Sequence, residues 1–402
     1  MQDSATRGAP RLHTVLITGD EPHYQAGLVA GLAGQNMDLD VIGNDALGAF
    51  PAMRLPGVRF HALRGTLPPG SSLPAKLRHL VSYYWKLAAF AARTDARLVH
   101  IQWPYKLVFL DRTLWIVYLK LLGKKVVFTA HNVDQGARDG MQSRRNAFSL
   151  RFLYRNVHRV IVHTAKMKTQ LTSHYGVDES RVSVIPHGVN MAVAETAMTR
   201  DEARRRLNLS GDDRVLLAFG LISPYKGLDT LVSALESLHR SDTRVTAVVA
   251  GRVKECQDYW RGVEEQIRRA GLEKRVLTVL RHIPDEEVEV YFKAADALVM
   301  PYRNIFQSGV LFLAYRFGLP VIATDVGSFG EDIIAGRTGF VCRPEDAGDL
   351  AAKIGQYFDS DLYRDLDRLR PGIRAHAEER YSWDKIGAQT ARLYAEVLDG
   401  KS

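Results

Sequence analysis

Residues 214–235, RVLLAFGLISPYKGLDTLVSAL, combine the patterns that decide the fold. A buried-strand pattern ends at Gly220, a loop of Pro, Lys and Gly residues follows, and a helical pattern begins near Leu228. A strand, a loop and a helix in this order form the repeating unit of parallel α/β sheets. The loop also brings Lys226 and backbone N–H groups to a helix N-terminus, which favours anions. We predict that Lys226 binds phosphate; the alternative is a surface loop with an incidental lysine.

The same alternation of short apolar strands and helix-length segments runs along the whole chain. The first half contains HTVLITG, LDVIG, ARLVHIQW, KKVVFTAH, RVIVHTA and VSVIP, and the second contains RVLLAFG, TAVVAG, VLTVL, ALVMPY, PVIAT and GFVC. Apolar strands separated by helices indicate parallel sheets covered on both faces. With 402 residues, we predict an α/β protein of two doubly wound, Rossmann-like domains facing a central cleft, where such folds bind ligands.

The domain boundary follows from the point where the strand series stops. The pattern VIPHGVN ends at Asn190, and a polar stretch follows it. We therefore place the first domain at residues 1–190 and the second at residues 191–383. An amphipathic pattern at residues 384–402 predicts a last helix that packs back on the first domain.

Composition excludes several classes of protein. Hydrophobic residues make up 46% of the chain and charged residues 25%, which excludes a disordered or collagen-like protein. Cys256 and Cys342 are too few for a disulfide framework and have no metal-ligand spacing, so we expect no structural zinc. No apolar stretch reaches the roughly 20 residues that span a bilayer, and the N-terminus lacks a signal-peptide pattern. We expect a cytoplasmic protein.

Positive charge is concentrated in the first half of the chain. Residues 1–190 contain 24 Lys and Arg against 12 Asp and Glu, whereas residues 191–402 contain 30 against 33. This imbalance favours an anionic partner, either membrane headgroups or a phosphorylated substrate. Nucleic acid ranks last, because no recognised binding module accompanies the charge.

Two helical patterns in the basic half are candidates for membrane contact. One is a stripe of arginines at helical spacing, formed by Arg144, Arg151, Arg155 and Arg159. The other is an apolar stripe formed by Leu77, Leu80, Val81, Tyr84, Ala88 and Ala91. A helix packed on its sheet with solvated charges explains either stripe, and for the apolar one it is the preferred interpretation. The functional interpretation is a peripheral hold on anionic lipid at the inner face of the membrane.

A second loop resembles the first in its chemistry. Residues 299–331 read VMPYRNIFQSGVLFLAYRFGLPVIATDVGSFGE, with a strand that ends at Tyr302 and a helix from about Gly309 to Phe317. We predict a second anion site at this helix start. Its candidate groups are Gln307 and the amides of Ser308, Gly309 and Val310. Together with Lys226 they would clamp one diphosphate from two sides, and a simple N-cap at Gln307 and Ser308 is compatible with that role.

The segments VIPHGV, FGLISPYKGLDTL, HIPDEEVEVYFKAADALVMPY, QSGVLFLAYRFGLPVIATDVG and YSW together resemble the GT-B glycosyltransferases. More narrowly they are similar to family 4, the sugar-nucleotide-dependent enzymes of bacterial polysaccharide and glycolipid assembly. The resemblance extends from Val15 onward. It implies a donor domain in the second half that binds a UDP- or GDP-sugar, and an acceptor domain in the first half. The implied acceptor is a hydroxyl of a lipid-linked glycan in exopolysaccharide, O-antigen or glycolipid assembly.

The resemblance also implies roles for individual residues. Lys226 and the helix start at Ser308–Val310 match the groups that hold the donor diphosphate, so no metal cofactor is expected. The other implied donor contacts are Gly220 at the strand end, Ile283 in the loop that meets the nucleobase, Tyr302, and Glu331 near the ribose. In FTAHNVD, His131 matches a histidine that contacts the donor sugar near the reacting centre.

Three positions depart from the family pattern. Ile305 and Leu313 stand where two glutamates are usual, and Leu221 stands where arginine is common. These changes leave both stereochemical outcomes open. An inverting mechanism needs a carboxylate base, for which Asp20 and Asp134 are the candidates. In a retaining mechanism the leaving diphosphate itself takes the acceptor proton.

Two other functions stay open from the sequence. A sugar-nucleotide epimerase or hydrolase can use the same fold, but it would carry more acid and base side chains than these patterns supply. A non-catalytic, membrane-associated partner in a polysaccharide assembly complex is favoured by the missing glutamates. Lys226 and the QSGV segment oppose that second alternative.

Overall fold

The computed structural model describes residues 11–19, 21–68, 70–133, 143–189, 193, 195–241, 243–253 and 255–400. The chain divides into two compact units, each with its own sheet. The first unit comprises Met1–Gly188 and Trp383–Ser402, and the second comprises Val189–Ser382. The first unit therefore ends at Gly188, where the sequence suggested Asn190.

The first unit is built on a parallel sheet of seven strands in the order β3-β2-β1-β4-β5-β6-β7. Its strands are β1 (Leu12–Ile17), β2 (Met37–Ile42), β3 (Val58–His61), β4 (Leu98–Ile101), β5 (Lys125–Thr129), β6 (Arg159–Val162) and β7 (Val182–Val184). Its helices are α1 (Pro22–Ala33), α2 (Asp45–Gly48), α3 (Leu73–Arg93), α4 (Val108–Arg112), α5 (Leu114–Leu121), α6 (Arg144–Asn156) and α7 (Ala165–Tyr175), with 3-10 turns at Pro51–Arg54 and Glu179–Arg181.

The second unit is built on a parallel sheet of six strands in the order β10-β9-β8-β11-β12-β13. Its strands are β8 (Arg214–Phe219), β9 (Val245–Ala250), β10 (Val276–Val279), β11 (Ala297–Met300), β12 (Val321–Thr324) and β13 (Gly339–Cys342). Its helices are α8 (Arg200–Arg206), α9 (Leu228–Arg240), α10 (Gln257–Arg269), α11 (Asp285–Ala294), α12 (Gly309–Arg316), α13 (Phe329–Asp332), α14 (Ala347–Phe358), α15 (Asp361–Arg364) and α16 (Leu366–Tyr381), with a 3-10 turn at Pro224–Lys226.

The predicted fold class is confirmed, since both sheets are parallel, doubly wound and flanked by helices. Every quoted strand pattern is a strand. The one described strand that the patterns did not include is β3, Val58–His61. It lies at the sheet edge and has no fully buried residue, so it lacks the continuous apolar run that marks the other strands.

The last helix, α17 (Trp383–Leu398), belongs to the first unit and packs on α1. A Cβ atom added to Gly31 would lie 2.1 Å from the Trp383 carbonyl oxygen, and one added to Gly387 would lie 2.2 Å from the Gly31 carbonyl carbon. The two helix backbones therefore touch where both helices carry glycine. Within the described ranges, no helix has the length and apolarity needed to cross a membrane.

Candidate functional site

Both predicted anion-binding loops leave the second sheet at the same place. Strand order reverses between β8 and β11, which pair in parallel at the centre of this sheet. The loop with Gly220 and Lys226 follows β8, and the loop that leads to Ser308 follows β11. Open α/β sheets bind ligands at the carboxyl ends of the strands that flank such a reversal.

Gly220 is the point where the two loops and α12 come together. Its φ of +96° is a left-handed conformation that favours glycine. A Cβ atom added there would lie 3.0 Å from Lys226 Nζ and 3.7 Å from Val310 Cγ2. The lysine ammonium and the first turn of α12 are thus neighbours across one glycine, as a clamp on a single ligand requires.

Lys226 is a buried cation with few internal partners. Its side chain is 7% exposed, its Nζ donates a hydrogen bond to the Phe219 carbonyl oxygen at 3.0 Å, and it lies 5.3 Å from the centre of the Tyr302 ring. Burial lowers the pKa of Lys226 below its ordinary value. Among the described residues it forms no ion pair. A buried charge without a counter-ion is costly, and a bound anion would reduce that cost.

The start of α12 keeps its amides available. Ser308 occupies the N-cap position, but its side chain makes no capping bond and instead hydrogen-bonds with Tyr302. The Leu311 N–H donates to the Ser308 carbonyl oxygen at 3.1 Å, so the available N–H groups of the first turn are those of Gly309 and Val310. Beside them, Gln307 Oε1 is buried without a hydrogen-bond partner among the described atoms. Polar groups left in this state are typical of a ligand site.

The prediction that backbone N–H groups at the start of α9 are available to an anion differs from the structure. Both Leu228 and Asp229 direct their N–H groups at the Tyr259 hydroxyl, at 2.9 Å and 3.4 Å, and that hydroxyl donates to Asp229 Oδ1 at 2.8 Å. These amides are already occupied, so α9 is not a seat for phosphate. Tyr259 lies on α10, and no local sequence pattern could indicate that it caps another helix.

The remaining predicted donor residues lie in contrasting environments. Ile283 is buried in the core and precedes α11, which begins at Asp285. Glu331 is exposed on α13. Ile305 and Leu313, which stand where the family usually has glutamates, are buried in the same core.

His131 follows β5 in the first unit and lies in a cluster of aromatic rings. The Trp103 ring stacks on it at 4.9 Å between centres, and Tyr24 meets it edge-on at 4.7 Å. Tyr24 also contacts His163 and His187, at 5.8 Å and 4.8 Å. We call these five residues the histidine cluster.

Hydrogen bonds determine which nitrogen of His131 carries the proton. His163 Nδ1 lies 2.9 Å from the Ile185 carbonyl oxygen, which can only accept, so His163 Nδ1 is the donor. His163 Nε2 is then an acceptor, and it receives the proton of His131 Nδ1 at 3.0 Å. His131 Nε2 carries the lone pair. It lies 3.2 Å from Gln102 Oε1. Two acceptors cannot share a hydrogen bond, so this assignment requires the Gln102 amide to be reversed, with its NH₂ group toward His131 and its oxygen toward His100, whose Nε2 lies 2.9 Å from the Gln102 nitrogen position.

Burial keeps the whole cluster neutral. It lowers the pKa of His163 to about 4 and that of His187 to about 3. For His131 burial, reinforced by the neighbouring histidines, lowers the pKa well below the ordinary value. A neutral imidazole with its lone pair on Nε2 can accept a hydrogen bond from a hydroxyl, but it does not attract a phosphate.

The remaining predicted residues are two aspartates and the arginine stripe. Asp20 and Asp134 lie outside the described residues. Arg144, Arg151 and Arg155 are exposed on α6, but Arg159 does not extend the stripe. It lies on β6, is buried, and donates to the Ser180 carbonyl oxygen. The helix ends before it, which the spacing of the arginines could not reveal.

Several residues of the two sites were not singled out from the sequence. These are Tyr24, Gln102, Trp103, His187 and Tyr259. Each lies on a different element from its partner, so only the assembled sheet brings them together. In the described part of the chain, no group of three or more His, Cys, Asp or Glu side chains could hold a metal ion.

Comparison with known families agrees with this geometry. Residues 24–193 match the model described as Glycosyltransferase Family 4, and residues 213–360 match the model described as Glycosyl transferases group 1. The chain belongs to the family-4-like GT-B glycosyltransferases. The two matches divide near the boundary between the two units, and the second covers the loops around Lys226 and Ser308.

Individual relatives show how far this similarity extends. A D-inositol 3-phosphate glycosyltransferase of Streptomyces bingchenggensis is 32% identical over 60% of this chain and 53% of its own length. The chain thus spans about half the length of that relative. One with the same name from Paenarthrobacter aurescens is 27% identical over 94% of this chain and 93% of its own length.

Solved structures support the fold of this glycosyltransferase. Sucrose-phosphate synthase from Thermosynechococcus elongatus matches with a TM-score of 0.75 and 22% identity, covering 97% of this chain and all of that one. Anabaena HepE in complex with UDP and glucose matches with a TM-score of 0.74 and 19% identity, over 96% of this chain and all of that one.

Proposed function

We propose that this protein transfers a sugar from a nucleotide diphosphate sugar to a hydroxyl group. The observation that carries the proposal is the convergence of Lys226 Nζ, Gly220 and the first turn of α12 at the strand-order reversal of the second sheet. A diphosphate fits this place, because it would neutralise the buried ammonium and accept hydrogen bonds from the free amides of α12.

The same groups would promote departure of the nucleoside diphosphate. Negative charge builds on the leaving phosphate in the transition state, where a preorganised cation and amides stabilise it more than they stabilise the bound donor. This substitutes for a divalent metal ion, and we propose a metal-independent hexosyltransferase. Activity that persists in a chelator and does not rise with added magnesium or manganese would support this point; dependence on either metal would contradict it.

We propose that the histidine cluster of the first unit contacts a sugar. His163 holds His131 in one tautomer, and a sugar hydroxyl would replace the Gln102 amide as the donor to His131 Nε2. The proposed donor is a UDP- or GDP-sugar, consistent with HepE, a fold neighbour described in complex with UDP and UDP-glucose. The base for an inverting reaction would be Asp20 or Asp134, and in a retaining reaction the leaving diphosphate takes the proton.

For the acceptor we propose a lipid-linked glycan in polysaccharide or glycolipid assembly, reached from the cytoplasmic face of the membrane. A second candidate is a phosphorylated polyol, favoured by the relatives named D-inositol 3-phosphate glycosyltransferase. Transfer of labelled sugar to membrane lipid extract or to D-inositol 3-phosphate distinguishes the two. Transfer to neither would contradict both acceptors.

The first experiment is thermal unfolding of the full chain with UDP-, GDP- and ADP-sugars. A ligand that binds only the folded state must raise the unfolding temperature. We expect one nucleotide class to stabilise the protein selectively. If none does at concentrations far above ordinary affinities, the donor site is wrong and a non-catalytic partner in an assembly complex becomes the better interpretation.

A further inference from the structure

The first unit carries an apolar face that none of the described residues covers. Among the described residues, 15 large apolar side chains are exposed, and ten of them lie between Leu73 and Leu121, on or next to α3, α4 and α5. We call the surface formed by these three helices the apolar face. Single exposed apolar residues are ordinary on soluble proteins, but a contiguous group of this size marks an interaction surface.

Helix α3 forms one ridge of this face. Its buried residues are Tyr83, Leu87 and Ala91 alone, so only a narrow stripe near its C-terminus holds it to the unit. Leu77, Val81 and Trp85 are four residues apart and 63%, 60% and 76% exposed. The preferred interpretation of the apolar stripe, a helix packed on its sheet, is therefore wrong for Leu77 and Val81.

Helices α4 and α5 form the second ridge, with Leu114 63% exposed and Leu121 81% exposed. A groove between the ridges is lined almost entirely by apolar and aromatic side chains of α3, α4 and α5. Its acidic member, Asp111, is buried and accepts a hydrogen bond from the Tyr105 N–H at 2.6 Å. The groove therefore presents no free charge to a partner.

The border of the apolar face is positively charged. The segment from Leu73 to Leu121 contains eight Lys and Arg against two acids, Asp95 and Asp111. Asp95 lies after the end of α3, 2.7 Å from His13 Nδ1, and Asp111 is buried. The exposed basic groups include Arg78, Lys86 and Lys120.

Helix α6 extends the basic border. The Arg145 guanidinium lies 4.6 Å from the centre of the Phe109 ring on α4, and Phe148 stacks on the same ring. The exposed arginines of α6 therefore continue the positive edge of the apolar face.

We propose that the apolar face docks on an anionic lipid bilayer, with the α3 and α4–α5 ridges inserted among the acyl chains and the basic border against the headgroups. An apolar surface with a cationic edge is the combination that interfacial binding requires. A second copy of the chain fits less well, because a two-fold contact would bring two basic borders together. The proposal deepens the proposed function by placing the enzyme at a lipid-linked acceptor, but docking itself needs no sugar transfer.

The test is co-sedimentation of the full chain with two kinds of vesicle, phosphatidylcholine alone and phosphatidylcholine mixed with phosphatidylglycerol. The apolar variant is Leu77→Ser with Val81→Ser and Trp85→Ser. The charge variant is Arg78→Gln with Lys86→Gln. Leu280→Ser and Lys274→Gln, in the second unit, are the matched controls, since Leu280 is 39% exposed and Lys274 is exposed.

We expect binding to the anionic vesicles that weakens with salt. The apolar variant should lose about 100-fold in affinity and the charge variant about fivefold for each residue, while both controls bind as wild type does. Donor-induced thermal stabilisation should be unchanged in all variants, which shows that they fold.

Three results would overturn the proposal. They are equal binding to both kinds of vesicle, full binding by the apolar variant, and no vesicle binding together with a dimer that the apolar variant abolishes. Loss of donor stabilisation in the wild type, with vesicle binding intact, would contradict the proposed function and leave the docking proposal standing.

Discussion

The strand-order reversals of the two sheets share a topology but hold opposite chemistry. In the second unit the reversal lies between β8 and β11 and presents a buried ammonium and uncapped amides. In the first unit it lies between β1 and β4, and the neighbouring strand β5 is followed by His131, within a cluster of neutral imidazole and aromatic rings. The fold sets the location of a site, and the residues that follow the strands set its charge.

Burial of ionisable side chains also has opposite consequences in the two units. Burial of Lys226 leaves a charge that a ligand can neutralise, so the second unit is prepared for an anion. Burial of His131, His163 and His187 removes their charge at neutral pH. The first unit is thus prepared for a hydroxyl group, which needs hydrogen-bond acceptors and apolar walls.

The largest expected effect comes from removing the cation. Lys226→Met keeps the volume and removes the charge, so we expect donor stabilisation to vanish and kcat/KM to fall about 100-fold or more. Stability without donor should not decrease, because a buried ammonium no longer has to be accommodated. Thermal unfolding with and without donor measures both effects. Lys274→Met is the control, and a variant that still binds donor would show that Lys226 does not hold the diphosphate.

The second effect is on the tautomer of His131. His163→Phe removes the acceptor of the His131 Nδ1 proton, and we expect kcat/KM to fall about tenfold, as for other supporting residues of reactive sites. His163→Gln offers a carbonyl oxygen and should restore part of the activity. Nitrogen-15 NMR of the His131 ring should show a change of protonated nitrogen in the Phe variant alone.

A purely structural role for His163 would give a different outcome. Both variants would then lower stability while the protonated nitrogen of His131 stayed the same. His174→Gln, an exposed histidine on α7, is the matched control for the loss of one imidazole.

The third effect concerns the pH dependence of stability that His163 gives the first unit. His163 has a folded pKa of about 4, so below its ordinary pKa of about 6.5 the unfolded chain binds a proton that the folded chain does not. Its contribution to stability is complete above pH 6.5 and is lost as the pH falls toward 4. We expect the free energy of unfolding to be about 2 kcal/mol lower at pH 5 than at pH 7 from this residue.

Chemical denaturation across that pH range checks the sign. His163→Gln should flatten the dependence, since it removes one titrating group. An unfolding free energy that rose on acidification would contradict the neutral assignment of the histidine cluster.

The smallest expected effect is the loss of stability caused by Gly220→Ala. Alanine at a φ of +96° costs about 1 kcal/mol of stability, and its Cβ would lie 3.0 Å from Lys226 Nζ. Donor stabilisation should weaken along with the fold. Gly262→Ala on α10, where an added Cβ meets nothing, should instead raise stability by up to about 1 kcal/mol. Equal effects at the two glycines would contradict a special role for Gly220.

Local patterns predicted much of the fold and part of the candidate site. Twelve strands, the two doubly wound sheets and the loop positions of Lys226 and Ser308 follow from apolar runs and their spacing. Local patterns did not predict three other features. These are the cap of α9 by Tyr259, the burial of Arg159 on β6 and the His131–His163 hydrogen bond. Each depends on contacts between elements that are distant in sequence.

What the sequence by itself determined is the order of elements and the chemistry at each strand end, since periodicity and residue type are local properties. Only the tertiary structure decided which amides stay free, which histidine nitrogen carries the proton, and which stripe of α3 faces solvent. Each of these depends on what packs against a group, and a helix with two apolar stripes does not reveal in its own residues which one the sheet will cover. The uncovered stripe is the one from which we infer the membrane surface.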